Sequence, residues 1–136
     1  MRKLDDTDLD KLTATLSAAP DLLAGYLFGS QADPERQRPR DLDIAVLGAA
    51  PLPLRRLLGL GATITGVVGS DALDLIDLRR AGPVLKRQVI KTGRLLFTRD
   101  QSLVNHFELQ ALREYQDSAY RRRVQFSYLG NGRAAP

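Results

Sequence analysis

The sequence predicts an α/β (α+β) domain, a small mixed β-sheet flanked by helices. Segments with apolar residues at helical spacing alternate with short apolar runs of strand length, and glycine or proline punctuates most junctions between them. No internal repeat is visible. The 136 residues suffice for one domain with one core. Residues 1–129 are expected to form it, and residues 130–136 to be a disordered tail.

In order along the chain, Asp5 to Ala18 sets Leu9, Leu12, Leu16 and Ala19 at helical spacing, with Asp5 and Thr7 available as caps and Pro20 and Asp21 as a stop. Leu22 to Phe28 is short, apolar and aromatic, as a buried strand is, and Gly29 closes it. Gln31 to Arg40 holds two prolines and no apolar residue larger than alanine, which predicts a solvent-facing loop opening with one helical turn. Asp41 to Leu47 alternates carboxylate and apolar residue before turning wholly apolar, a strand whose start meets a cleft and whose remainder is core.

Leu54 to Val68 reads as a helix with Leu54, Leu57, Leu58, Ile64, Val67 and Val68 opposite Arg55 and Arg56. A break is expected near Gly59, Gly61 and Gly66, since each glycine costs a helix interior about 1 kcal/mol relative to alanine. Ala72 to Leu78 is a further strand, Pro83 to Gly93 a helix, and Arg94 to Thr98 a last short strand. From Asp100 one long helix carries Leu103, Val104, Phe107, Ala111, Leu112, Tyr115, Ala119 and Val124 near one stripe. Phe107, Tyr115, Phe126 and Tyr128 are expected to be presented to a partner, and Tyr120 to Arg123 to form a basic helix end.

Composition narrows the chemistry. With no cysteine there is no disulfide framework, thiol catalysis or cysteine zinc site, and the single His106 removes histidine clusters. Hard oxygen ligands remain. No run approaches the roughly 18 apolar residues of a spanning helix, and the first ten residues turn acidic where a signal peptide turns apolar, so the expected location is the cytoplasm, with no membrane partner. The net charge of +4 is spread among acidic residues as a solvated, arginine-rich surface, and direct nucleic-acid binding is not expected.

The strongest chemical signal lies between the first two strands. Gly29-Ser30 directly after a buried strand offers backbone amides and a hydroxyl to an anion. Asp41 and Asp43, at i and i+2 of one strand, point the same way about 6.6 Å apart, a spacing from which two carboxylates reach a shared metal. Together they suggest a nucleoside triphosphate held with a divalent cation.

Gly29-Ser30, ten intervening residues and Asp41-Leu42-Asp43 between two apolar strands resemble the signature of the nucleotidyltransferase superfamily, whose fold is a DNA polymerase beta-like palm. Within it the chain resembles the minimal nucleotidyltransferase antitoxins of the MNT or MntA type, which pair with HEPN-domain toxins. Leu73 to Phe97 is similar to that family's strand, loop, helix and short strand. The resemblance implies transfer of AMP from ATP, with Mg²⁺, to a tyrosine hydroxyl of a cognate HEPN ribonuclease in a hetero-oligomer. It assigns Gly29, Ser30 and Arg40 to the triphosphate and Asp41, Asp43 and Asp74 to catalysis and the metals. Asp71 and Asp77 flank Asp74, and strand register decides which of them meets the other two.

The chain departs from the family pattern in carrying Ala32-Asp33-Pro34 in place of Ala-Arg-Gly and Arg40 in place of serine. Asp33 adds negative charge near the triphosphate, which Arg36, Arg38 or Arg40 compensates if the loop folds inward, the other reading of the three being exposed loop cations. Two alternatives stand beside the enzymatic reading: an inactive transferase fold that neutralises its toxin by binding alone, and an aminoglycoside-type nucleotidyltransferase acting on a small molecule.

Overall fold

The computed structural model describes residues 1–132. Its elements are α1 (Asp6–Ser17), β1 (Leu22–Phe28), a 3-10 turn (Gly29–Ala32), β2 (Leu42–Gly48), α2 (Leu54–Val68), β3 (Leu73–Asp77), α3 (Pro83–Thr92), β4 (Arg94–Thr98) and α4 (Gln101–Gly132). The four strands form one sheet in the order β3-β2-β1-β4. β1 pairs antiparallel with β2 and β4, and β2 pairs parallel with β3, so the sheet is mixed as expected.

Alternation along the central strands divides the core in two. Ile44 and Val46 face α1 and α2, packing with Leu12, Leu16, Leu60, Ile64 and Val68. Ala45 and Leu47 face the other way with Ala24, Tyr26, Phe28, Val89 of α3 and Val104 of α4. β1 and β2 are buried on both faces because helices cover both, which is why they read as continuous apolar runs.

Local chemistry sets the helix ends. Asp5 caps α1 in a reciprocal box: the Asp8 N–H donates to its carboxylate at 2.8 Å and its own N–H donates to Asp8 at 3.0 Å. Arg99 closes the other end of that helix, donating to the carbonyls of Ser17 at 2.7 Å and Ala19 at 2.9 Å. α2 ends at Gly69, whose φ of 77° is the left-handed cap conformation.

The expected break in α2 is absent. Gly59 and Gly66 face open space, and the packing of Leu60, Ile64 and Val68 carries the helix through. Its buried stripe also differs: Leu54 and Leu58 are 70% and 66% exposed, and Leu60, placed on no stripe by the sequence, is core. On α4, Leu103 is exposed, whereas Phe107 and Tyr115, expected to be presented, are half-buried against α3. Arg79 and Lys86 lie over the Phe107 ring at 5.5 and 5.7 Å, and Arg87 over Tyr115 at 4.6 Å. α4 continues through residues 130–132, expected as tail. The rest of that tail, 133–136, and the side chains of Phe126 and Tyr128 lie outside the described residues.

The Thr98 hydroxyl is buried and has no hydrogen-bond partner among the described residues. Because an unpaired buried hydroxyl opposes folding, Thr98→Val is expected to stabilise the protein by about 1 kcal/mol in urea unfolding.

Candidate active site

One antiparallel register builds the site. Phe28, the last residue of β1, pairs with Asp43 of β2, so the turn that follows β1 passes over the Asp43 side chain. That turn begins at Gly29 with φ of 69°. A Cβ built there lies 2.1 Å from Asp43 Oδ2 and 3.0 Å from its Cγ. Glycine is required twice, by the left-handed backbone and by the carboxylate against it. The loop to β2 is closed at its base by the Arg40 N–H, which donates to Ser30 Oγ at 3.1 Å.

The parallel β2–β3 pairing brings in the third carboxylate. The Leu42 N–H donates to the Ala72 carbonyl at 2.8 Å, and the register that follows sets Asp43 beside Asp74. Paired residues of adjacent strands point to the same face, with strands about 4.8 Å apart. Asp41, two residues before Asp43 and just outside the strand, belongs to that face. All three stand at the end of the sheet where β1 stops and β2 and β3 begin.

Asp77 is placed otherwise. It is 5% exposed on the opposite face, and its carboxylate accepts from the Leu52 N–H at 2.8 Å and the Arg79 N–H at 3.0 Å, with Arg80 at 3.6 Å. It joins β3 to the segment before α2. Asp71 lines a separate apolar groove of about 340 Å³ between α2 and β3, with Leu57, Leu58, Leu73 and Leu75.

Burial, then the charges of Asp74 and Asp41, push the Asp43 carboxyl above its ordinary pKa. Among the described residues no cation forms an ion pair with Asp41, Asp43 or Asp74. This all-oxygen, uncompensated set fits a hard divalent cation in donor type and charge. The side chains as they stand do not form a ready cage: no group of three acidic or histidine residues among those described is gathered to hold a metal. Asp41 and Asp74 are exposed and can rotate toward the half-buried Asp43.

A cleft of about 390 Å³ opens beside Gly29, walled by Ala32, Asp33 and Pro34 and, across it, by Gln88 and Thr92 of α3. Sequence reasoning had no signal for the α3 residues, because their position depends on how β4 returns beside β1. The loop from Gln31 to Arg40, solvent-facing by composition, has two buried residues: Gln31 is 4% exposed and Pro39 is buried. Arg36, Arg38 and Arg40 have exposed side chains, and Arg40 meets the site through its backbone N–H. His106 is exposed on α4.

A mixed four-stranded sheet with a Gly-Ser turn packed on paired aspartates is the arrangement of a nucleotidyltransferase. The family model described as "Polymerase beta, Nucleotidyltransferase" matches residues 10–102. The chain is 36% identical over 101 residues to protein adenylyltransferase MntA of Shewanella oneidensis, covering 74% of this chain and 70% of that one. It superposes on the MNT antitoxin in a complex with the tri-AMPylated Shewanella oneidensis HEPN toxin, with TM-score 0.74 and 30% identity over 91% of this chain and 97% of the other. A toxin–antitoxin structure with AMP-PNP gives TM-score 0.73 at 31% identity, with the same coverages. The chain belongs to the polymerase beta-type nucleotidyltransferase family, among its MntA-like minimal members.

Two outcomes follow from the geometry. Gly29→Ala forces both a strained φ and a collision with Asp43, and is expected to lower stability by roughly 2–4 kcal/mol in chemical denaturation. For Asp43 the folded pKa lies above the unfolded one, so its stabilising contribution is full below the unfolded pKa and lost as pH rises through the folded pKa. At neutral pH, in chelator, Asp43→Asn should therefore raise Tm. That advantage should shrink as pH falls into the carboxylate range; thermal scans across pH check it.

Proposed function

We propose that this chain is the antitoxin of a two-component toxin–antitoxin pair, acting in the cytoplasm, and that it transfers AMP from ATP to a tyrosine hydroxyl of a HEPN-domain ribonuclease toxin. The observation that carries this reading is the packing of the Gly29 turn on Asp43, with Asp74 in register beside it. The protein names and complexes of the MntA relatives support the substrate and partner.

In this reading Gly29 and Ser30 hold the triphosphate, with the Arg40 amide fixing Ser30 and the Arg40 side chain available to a phosphate oxygen. Asp41, Asp43 and Asp74 are the residues that would hold Mg²⁺, which would supply positive charge to the triphosphate. The hydroxyl oxygen forms a bond to the α-phosphorus, the bond from that phosphorus to the bridging oxygen breaks, and pyrophosphate leaves with the electron pair. Asp74, the most exposed carboxylate on the strand neighbouring Asp43, accepts the hydroxyl proton. The added AMP blocks the toxin's RNA-cleaving site by bulk and negative charge.

One observation favours a second reading, in which the fold neutralises the toxin by binding alone: Asp33 rather than an arginine borders the cleft beside Gly29. The partner toxin incubated with ATP, Mg²⁺ and this chain is expected to gain mass in steps of AMP. Replacing Asp41 and Asp43 together by Asn should slow transfer roughly 10²–10³-fold, the effect of several kcal/mol of lost charge stabilisation. Toxin neutralised by wild-type protein without any mass gain would sink the enzymatic reading and leave the binding one.

A further inference from the structure

The turn that packs on Asp43 is held from its other side by the N-terminal segment. Gln31 is the one buried side chain of the Gly29–Ala32 turn. Its Oε1 accepts the Leu4 N–H at 3.1 Å, and its Nε2 donates to the Arg2 carbonyl at 2.9 Å. Both ends of the amide are thus spent on a segment distant in sequence. Two residues on, the Asp33 carbonyl accepts from Lys3 Nζ at 2.5 Å.

The segment is itself anchored. The Arg2 guanidinium grips both oxygens of Asp8, at 3.0 Å from Nη2 to Oδ1, and Asp8 belongs to the capping box of α1. Leu4 is buried in the core beneath α1 and α2. A continuous run of contacts therefore leads from α1 through Arg2, Lys3 and Leu4 to Gln31, and from Gln31 to the two residues before it. The turn needs such an anchor. Gly29 loses more conformational entropy on ordering than any other residue type would, and it abuts a half-buried carboxylate that forms no ion pair among the described residues.

We propose that Gln31, tied to Arg2 and Leu4, is the positioning residue that fixes the Gly29-Ser30 turn for its nucleotide, with Lys3 as a second strut. This rests on the reading that the turn holds the ATP triphosphate. Gln31 touches no reacting atom in this scheme. It acts through the backbone amides of the turn, so its loss weakens nucleotide binding more than the chemical step.

The test uses Gln31→Met, which keeps the volume and removes both hydrogen bonds, and Lys3→Met, which leaves the buried site intact. ATP binding by the wild-type protein is measured first. Then KM for ATP, kcat for AMP transfer and hydrogen exchange of the 29–33 amides are compared. Gln31→Met is expected to raise KM for ATP roughly fivefold to tenfold, the effect of about one net hydrogen bond, with kcat within about twofold and faster exchange in the turn. Lys3→Met should shift both readouts the same way by less, and the double variant should fall short of the product of the two because both hold one turn. A folded Gln31→Met protein with unchanged KM and exchange overturns the proposal. So does one that loses kcat and Tm together at constant KM. If Gln31→Met does not fold, unchanged KM and exchange in Lys3→Met overturn it. Wild-type protein that binds no ATP overturns the reading of the site itself, a result the first measurement separates from all the others.

Discussion

The Asp43 carboxylate occupies the volume that a side chain at position 29 would need, and the chemical end of the molecule depends on that contact. Phe28 and Asp43 are register partners, so a single antiparallel pairing creates both the turn after β1 and the acid beneath it. The pairing tolerates no slip. Moving β2 by one residue would send Asp43 to the face of α1 and α2 and expose Ile44 and Val46 to the other core. Helices on both faces thus hold the register, and through it the contact between the Gly29 turn and the Asp43 carboxylate.

The aspartates divide by what compensates them. Asp8 and Asp21 are each gripped by a guanidinium, Arg2 and Arg56, and hydrogen bonding holds both carboxyls below the ordinary range. Asp77 is paid in backbone N–H donors and Arg80. Asp43 moves the opposite way, raised by burial and by like charges. Carboxylates that join elements together have their partners within the chain. Asp43, at the end of the sheet where β2 begins, forms no ion pair among the described residues, and a perturbed acid in such a place is a candidate functional residue.

Most element boundaries were legible because single residues punctuate them. β1 runs from Leu22 to Phe28 between Pro20 and Gly29, and α3 from Pro83 to Thr92 between Gly82 and Gly93. Faces were less legible. α2 has apolar residues around much of its circumference, so periodicity alone could not separate buried Leu60 from exposed Leu54 and Leu58. Aromatic residues on α4 looked like a docking surface because their cover, Arg79, Lys86 and Arg87, comes from the β3–α3 region. At the site, the i, i+2 spacing revealed that Asp41 and Asp43 share a face, but only the β2–β3 register distinguishes Asp74 from Asp77. Gln31 was hidden because a buried polar residue in a polar loop leaves no pattern; its partners are the backbone groups of residues 2 and 4.

The departure at Ala32-Asp33-Pro34 acquires a physical meaning from the loop around it. Asp33 Oδ1 accepts the Glu35 N–H at 3.0 Å, and its carbonyl accepts both the Arg36 N–H at 3.2 Å and the Lys3 ammonium. The residue therefore folds the loop back on itself, in the manner of an Asx turn, with Pro34 fixing the next φ. An arginine here would bring a phosphate partner on a long side chain; the aspartate instead orders the backbone. The cations nearest in sequence are Arg36, Arg38 and Arg40 further along the same loop, all with exposed side chains. Of these, Arg40 is the one whose backbone is already fixed at the site by its hydrogen bond to Ser30. Its guanidinium starts from an anchored Cα next to Asp41, so in the proposed reading it has less backbone entropy to lose on meeting a phosphate than Arg38 of the exposed arc.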